Sequence, residues 1–364
     1  MLKRLFLILL MAASFVGCSK KNKPTITAKL VTDGLGINDK SYNANAWDGF
    51  LRFYGDTIGE ETGFGTLYDL VICNSPANYY SDLRAISEQG HDVLVLTSYS
   101  FVDTVRMLAG VFPNQKYLLI DGQELPFDNV MNCIFSSEEG SFLVGVLAAL
   151  QAQAEGVSNP RFGFVGGIMN DMIRNFEVGY VQGVRHVFPE AEIYDVYVDD
   201  WARPDRAAEK TKIWYDNDVY AVYSAAGMSG NGTIAQAVAH RKAGKNVWAI
   251  GVDKDQFEEG IYGLGKSAVL TSMIKRVDNA VESCLKNIQN GRFKGGSHVL
   301  TLKDGAVGFT TTNQELAASS VKYVNSLQSD LIIGKINAIS TYENSDIVDS
   351  VLATVHHETP EKWD

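Results

Sequence analysis

Between residue 27 and residue 301 the chain alternates two patterns. Short apolar runs rich in β-branched residues predict strands at 27–32, 68–73, 92–97, 116–121, 130–135, 161–165, 192–198, 219–224, 247–253, 267–272 and 298–301. Segments with apolar positions every three or four residues predict helices between them, at 41–54, 78–89, 137–153, 172–187, 204–215, 230–243 and 274–290. A strand, a crossover helix and a further strand, repeated along the chain, argue for parallel α/β sheets with helices on both faces. No repeat of 20–50 residues is present, which excludes a solenoid.

Several strand ends share one feature: a polar residue followed by a Gly-containing turn. They are Asp33-Gly34, Asp121-Gly122, Gly166-Gly167, Ala226-Gly227 and Gly251-Val252-Asp253. In open parallel sheets ligands sit beyond the carboxyl ends of the strands. About 340 residues after the leader suit two domains. If two such sheets face each other, these ends converge on one cleft and the protein is a two-lobed binder.

The densest of these turns lies in LVTDGLGINDKSYNANAWDGF, residues 30–50. Asp39, Ser41 and Asn43 crowd there beside Tyr42, at the start of a helix. Either they face a small molecule, or Asp39 and Ser41 cap the helix. Asp121 and Asp253 end central apolar strands, where an ionised carboxylate is costly without donors around it. A guest with vicinal hydroxyls supplies such donors. Lys275, placed at the opening of the helix after strand 267–272, is in position either to neutralise Asp253 and donate to a ligand oxygen, or to serve only as a structural ion pair or helix cap. Trp201, in a loop ahead of Pro204, is either a lid on a flat ligand or ordinary hydrophobic cover. With Tyr42 it makes a candidate sandwich for a planar ring, and Asn43 has the paired donor and acceptor to read the ring's edge. The loop AAGMSGNG, residues 225–232, brings backbone amides within reach of the cleft at Gly227. It lacks the Gly-Lys-Ser/Thr ending of a Walker loop.

Lys3 and Arg4 precede an apolar run to Phe15, then Val16, Gly17 and Cys18. That is the layout of an export signal, too short for a stable membrane span. A cysteine directly after the break resembles the processing site of bacterial lipoproteins, which implies acylation of Cys18, loss of residues 1–17 and a lysine-rich tether through residue 24. The folded part is then expected to be held at the cell envelope by lipid in a bilayer. Five of the 32 basic residues lie before Pro24, which leaves 27 against 43 acidic residues. So acidic a body argues against nucleic acid and, less strongly, against phosphorylated ligands. Cys73, Cys133 and Cys284 read as buried free thiols. The six scattered histidines form no metal spacing, no cofactor motif is evident, and no Ser/His/Asp or Cys/His arrangement supports catalysis.

At these residues the chain resembles the basic membrane protein family of lipoproteins, which includes purine nucleoside receptors of ABC importers. The matching motifs, in family order, are LVTDGLGINDKSYNANAWDGF, FSSEEGSFLVGVLAAL, RFGFVGG, NFEVGYVQGV, AAGMSGNG, IGVD and LTSMIKRVDNAV. The resemblance implies a two-lobed type I periplasmic-binding-protein fold with three interlobe crossovers. Its expected parts are an N-terminal lobe of residues 25–122 plus 253–300, a C-terminal lobe of 123–252 plus 301–340, and a tail, 341–364, expected to be poorly ordered. It implies capture of adenosine, guanosine or inosine and delivery to a membrane permease. By motif position it puts Asp39, Ser41, Asn43, Asp121, Gly227, Asp253 and Lys275 at the ligand, with Trp201 as a stacking partner. A sugar or autoinducer receptor of the same fold, or a surface adhesin with no transported ligand, are the rival readings.

Overall fold

In the computed structural model, which describes residues 24–58, 67–342 and 345–359, the strands assemble into two large sheets. The first, all parallel, runs Gly296–Leu300, Val130–Phe135, Lys116–Ile120, Val93–Leu96, Ala28–Thr32, Tyr68–Ile72. The second runs Val307–Phe309, Val269–Lys275, Trp248–Asp253, Val219–Ala225, Arg161–Gly166, Ile193–Tyr197, His356–Glu358. It is parallel except at Val307–Phe309. The central strands Val93–Leu96, Val219–Ala225 and Trp248–Asp253 are buried along their whole length, as expected of parallel strands covered by helices on both faces.

The chain passes between the sheets three times: after Phe135, after Lys275 and between Leu300 and Val307. The passages are tied to one another, Ser136 N donating to Leu300 O (3.0 Å) and Arg276 N to Ala306 O (2.7 Å). The limits expected at 122/123 and 252/253 need correction. Val130–Phe135 belongs to the first sheet because it pairs with Lys116–Ile120 through a short loop, and Val269–Lys275 belongs to the second because it pairs with Trp248–Asp253. The tail is corrected too. Residues Ser345–Leu352 form a helix, and His356–Glu358 adds an edge strand to the second sheet beside Ile193–Tyr197.

Two helices of the second lobe, Ser137–Ala154 and Asp171–Val187, cross with their backbones almost touching. A Cβ at Gly145 would sit 2.5 Å from Tyr180 O, and Cβ atoms at Gly179 and Gly183 would run into the carbonyls of Glu138 and Phe142. Glycine at these three positions is thus a packing requirement. It sets the distance of Asp171–Val187 from the rest of the lobe, and this helix forms one wall of the site. Cys73, Cys133 and Cys284 are buried free thiols.

Candidate functional site

The carboxyl ends of both sheets meet around a cavity of about 640 Å³, its open mouth included. The first lobe contributes Asp33, Leu35, Asp39, Tyr42, Asn43, Thr97, Ser98, Tyr99 and Asp121. The second contributes Met172, Ile173, Phe176, Trp201, Ala225, Ala226, Gly227, Val252, Asp253 and Lys275. Of the nine residues singled out in the sequence, eight line this cavity; Ser41 does not.

Ser41 lies behind the wall and donates through its hydroxyl to Asp253 Oδ2. Asp39 caps the helix Tyr42–Tyr54: its carboxylate accepts from the backbone amides of Ser41 (3.1 Å), Asn43 (2.7 Å) and Ala44 (3.0 Å). Those three donors offset the burial that pushes its carboxyl up. Asn43 Oδ1 accepts from Thr97 Oγ1 at 2.6 Å, so its amide nitrogen is the group left to donate.

Lys275 differs from its expected place. It is the last residue of strand Val269–Lys275 and does not open the helix, which begins at Val277. Its ammonium is buried, pairs with Asp121 Oδ2, and lies 5.1 Å from the ring centroids of Tyr42 and Phe135 and 5.4 Å from that of Phe176. A carboxylate and three ring faces thus replace its water. Tyr42 is held in turn by its hydroxyl, which donates to Ile120 O at 3.2 Å.

Asp121 and Asp253 both adopt left-handed backbone, with φ of 57° and 67°. Aspartate tolerates that region better than most residues, and strain of this kind gathers at ligand clamps. Each keeps one carboxylate oxygen beyond the one taken by Lys275 or Ser41. Burial pushes the Asp253 carboxyl up to about 6, against the pull of Lys275 and Ser41. Asp33, held by Ser98, is raised chiefly by burial.

Trp201 packs its six-membered ring on Gly167, where any Cβ would overlap it, and lies over Gly227, whose φ is +56°. Gly167 is therefore needed to seat the indole, and at Gly227 it is the left-handed backbone that favours glycine. Across the cleft, Asn231 Nδ2 donates to Asp39 O at 3.3 Å.

Sequence reasoning passed over two groups of wall residues. Thr97, Ser98 and Tyr99 directly follow strand Val93–Leu96, so the strand-end rule that found Asp121 applies to them as well. Met172, Ile173 and Phe176 carry no such mark, because on a helix an apolar face toward a cavity looks the same as one toward the core. Among the described residues no cluster of His, Cys, Asp or Glu is placed to hold a metal, and no helix is long and apolar enough to cross a membrane.

Two facing α/β lobes with a polar cleft between their strand ends define a solute-binding protein. The family model described as "ABC transporter substrate-binding protein PnrA-like" matches residues 26–341. The chain belongs to that family, one of extracytoplasmic ABC-transporter binding proteins without catalytic activity. Among its relatives, a CD4+ T-cell-stimulating antigen of Listeria monocytogenes is 32% identical over 87% of this chain and 88% of its own length. The ABC transporter nucleoside-binding protein BmpA of Lactococcus lactis is 31% identical, with 89% and 92% covered. Basic membrane protein A of Borreliella burgdorferi is 29% identical, with 94% and 97% covered. A solved ABC-transporter solute-binding protein of Aeropyrum pernix K1 has the same fold, with a TM-score of 0.77, 24% identity, and 90% of this chain and 96% of that one covered.

Proposed function

We propose that the cavity captures a purine nucleoside, whether adenosine, guanosine or inosine, and that the protein hands it to the membrane permease of its transporter. The observation that carries this reading is the mixture of wall groups: the half-buried indole of Trp201 together with two carboxylates, Asp121 and Asp253, that each have an oxygen to spare. Such a wall suits a guest with one flat apolar face and several hydroxyl or N–H donors. In this reading the base lies on Trp201, with Tyr42 closing the site from the other lobe. Asp253, with Lys275 nearby, accepts the ribose diol. Asp121 and Asn43 address the remaining polar edges, and the Gly227 amide reaches the guest's backbone-facing oxygen. Four aspartates against one lysine disfavour a phosphate, which separates nucleosides from nucleotides. A nucleoside-binding relative of similar length supports the same ligand class.

Each lobe supplies about half of the wall, so a guest touching both binds the closed arrangement better and shifts the population toward it. Cys18 lies outside the described residues. Its acylation, proposed from the sequence, holds the protein at the bilayer of the cell envelope.

A thermal-denaturation panel of nucleosides, free bases, nucleoside monophosphates and sugars tests the ligand class. A nucleoside at a hundredfold excess over its Kd stabilises the native state by about 2.7 kcal/mol. Monophosphates are expected to do less at equal concentration, and pentoses or hexoses nothing measurable. Stabilisation by sugars and by no nucleoside overturns the proposal.

A further inference from the structure

Helix Asp171–Val187 has two occupied faces. Through Met172, Ile173 and Phe176 it lines the ligand cavity. Its other side carries the C-terminal segment, residues 345–359, which lies beyond the stretch matched by the family model. Arg174 pairs with Asp349 at 2.7 Å, and Arg185 donates to Val351 O at 2.5 Å and to Thr354. Farther along, Glu358 takes Lys210 and the Trp214 indole N–H. Val348 is the one fully buried apolar side chain of this segment; Val351, Leu352 and Val355 pack on the core only half-buried. Elements held this way belong to the low-stability end of a fold.

Beneath the segment is a second cavity of about 520 Å³, bounded by Arg174, Glu177, Asp195, Tyr197, Leu352 and His357. Two buried carboxylates meet there. Glu177, from the helix, lines the cavity together with Asp195, from strand Ile193–Tyr197; both are buried, and Glu177 accepts the Tyr197 hydroxyl at 2.5 Å. His357 covers the pair, with Nδ1 at 2.9 and 3.0 Å from the two Asp195 oxygens. Two carboxyl groups buried at one cavity resist ionising together, so the pair holds on to a proton.

We propose that residues 345–359 form a proton-responsive strap, docked over the buried carboxyl pair Glu177 and Asp195 and loosened when the pair loses its proton. Burial and the neighbouring Asp195 push the Glu177 carboxyl up to about 8, against the pull of Arg174. With the strap lifted and water admitted, Glu177 returns toward the ordinary carboxylate range. The docked form therefore holds one more proton between that range and about 8, and docking weakens as pH rises through this window. Tyr197 stays neutral throughout, because Glu177 and burial raise its phenol.

Hydrogen–deuterium exchange of the full-length protein, corrected for intrinsic rates, tests this. One proton with a docked pKa of about 8 raises the opening constant of the 345–359 amides about tenfold between pH 7 and pH 9. Glu177→Gln keeps a donor to Asp195 and cannot ionise, so its strap protection is expected to change less than twofold over the same interval. Wild-type strap protection that does not vary with pH overturns the proposal. So does an E177Q protein that keeps the wild-type slope.

Discussion

Asp253 shows how a single residue is prepared for its guest. It ends a buried strand, turns its carboxylate into the cleft through a left-handed φ of 67°, and is held on one side by Ser41. Burial outweighs Ser41 and Lys275, so its proton is lost only near pH 6. A diol donates more strongly to the ionised form, which accepts at both oxygens, so tight binding below that pH must first expel a proton. The sign follows: the raised carboxyl leaves affinity constant above about pH 6 and weakens it below, by at most about tenfold per pH unit. Calorimetric titration with a nucleoside at pH 7.5 and pH 5 is expected to give a Kd several-fold to about tenfold higher at the lower pH. Asp253→Asn should bind weakly with a flat profile. A flat profile in the native protein removes Asp253 as the diol acceptor. Lys275 illustrates the opposite case, in which a residue's type was legible and its partner was not. An apolar run ending in Ser272 gave no sign that the strand continues through Lys275, nor that the ammonium turns to Asp121 within three aromatic rings.

At the scale of elements, alternating patterns gave the eleven strands that carry both large sheets, because buried parallel strands are written as unbroken apolar runs. Elements with little to bury were passed over. Val307–Phe309 and His356–Glu358 are three-residue edge strands, and helix Ala318–Ile332 lies over the second lobe with few buried positions. Lobe limits were misplaced for a related reason. Which sheet a strand joins depends on its neighbours across the sheet, and local sequence does not encode that choice. The glycines of FSSEEGSFLVGVLAAL and NFEVGYVQGV, present as motif letters, take their meaning only from the crossing of Ser137–Ala154 with Asp171–Val187. Gly183→Ala forces a methyl group against Phe142 O in a contact with no slack. Overpacking of this kind costs about 1–3 kcal/mol. Here the displaced helix also carries Phe176, which packs on Lys275 and lines the cavity. Chemical denaturation of the variant is expected to show that loss, together with a nucleoside affinity reduced by more than about threefold. The same stability loss with unchanged affinity would separate the helix crossing from the site.

For the whole molecule, function rests on how firmly the two lobes are held together, and most of the described ties lie along residues 39–48. Gln256 Nε2 donates to Lys40 O (3.2 Å), Asn45 Nδ2 to the carbonyls of Asp253 (3.2 Å) and Lys275 (2.6 Å), and Ser41 to the Asp253 side chain. Lys254 of the second lobe pairs with Asp48 of the first at 2.6 Å. The ties to Asp253 and Lys275 hold wall residues, so their removal mixes binding with closure. Lys254 and Asp48 do not line the cavity, and Lys254→Ala acts on the closure equilibrium without removing any wall group. The lysine side chain is 32% exposed, so the pair is worth no more than about 1 kcal/mol. If the pair forms only in the closed arrangement, its loss lowers the closed population and raises the apparent Kd by the same factor, at most about fivefold. Because the missing contact acts after encounter, the change belongs mainly in the dissociation rate. Stopped-flow binding of a nucleoside to Lys254→Ala is expected to show dissociation two- to fivefold faster, with association close to wild type. An unchanged dissociation rate would mean that Lys254–Asp48 persists when the cleft opens, and would assign it to the hinge side of the molecule.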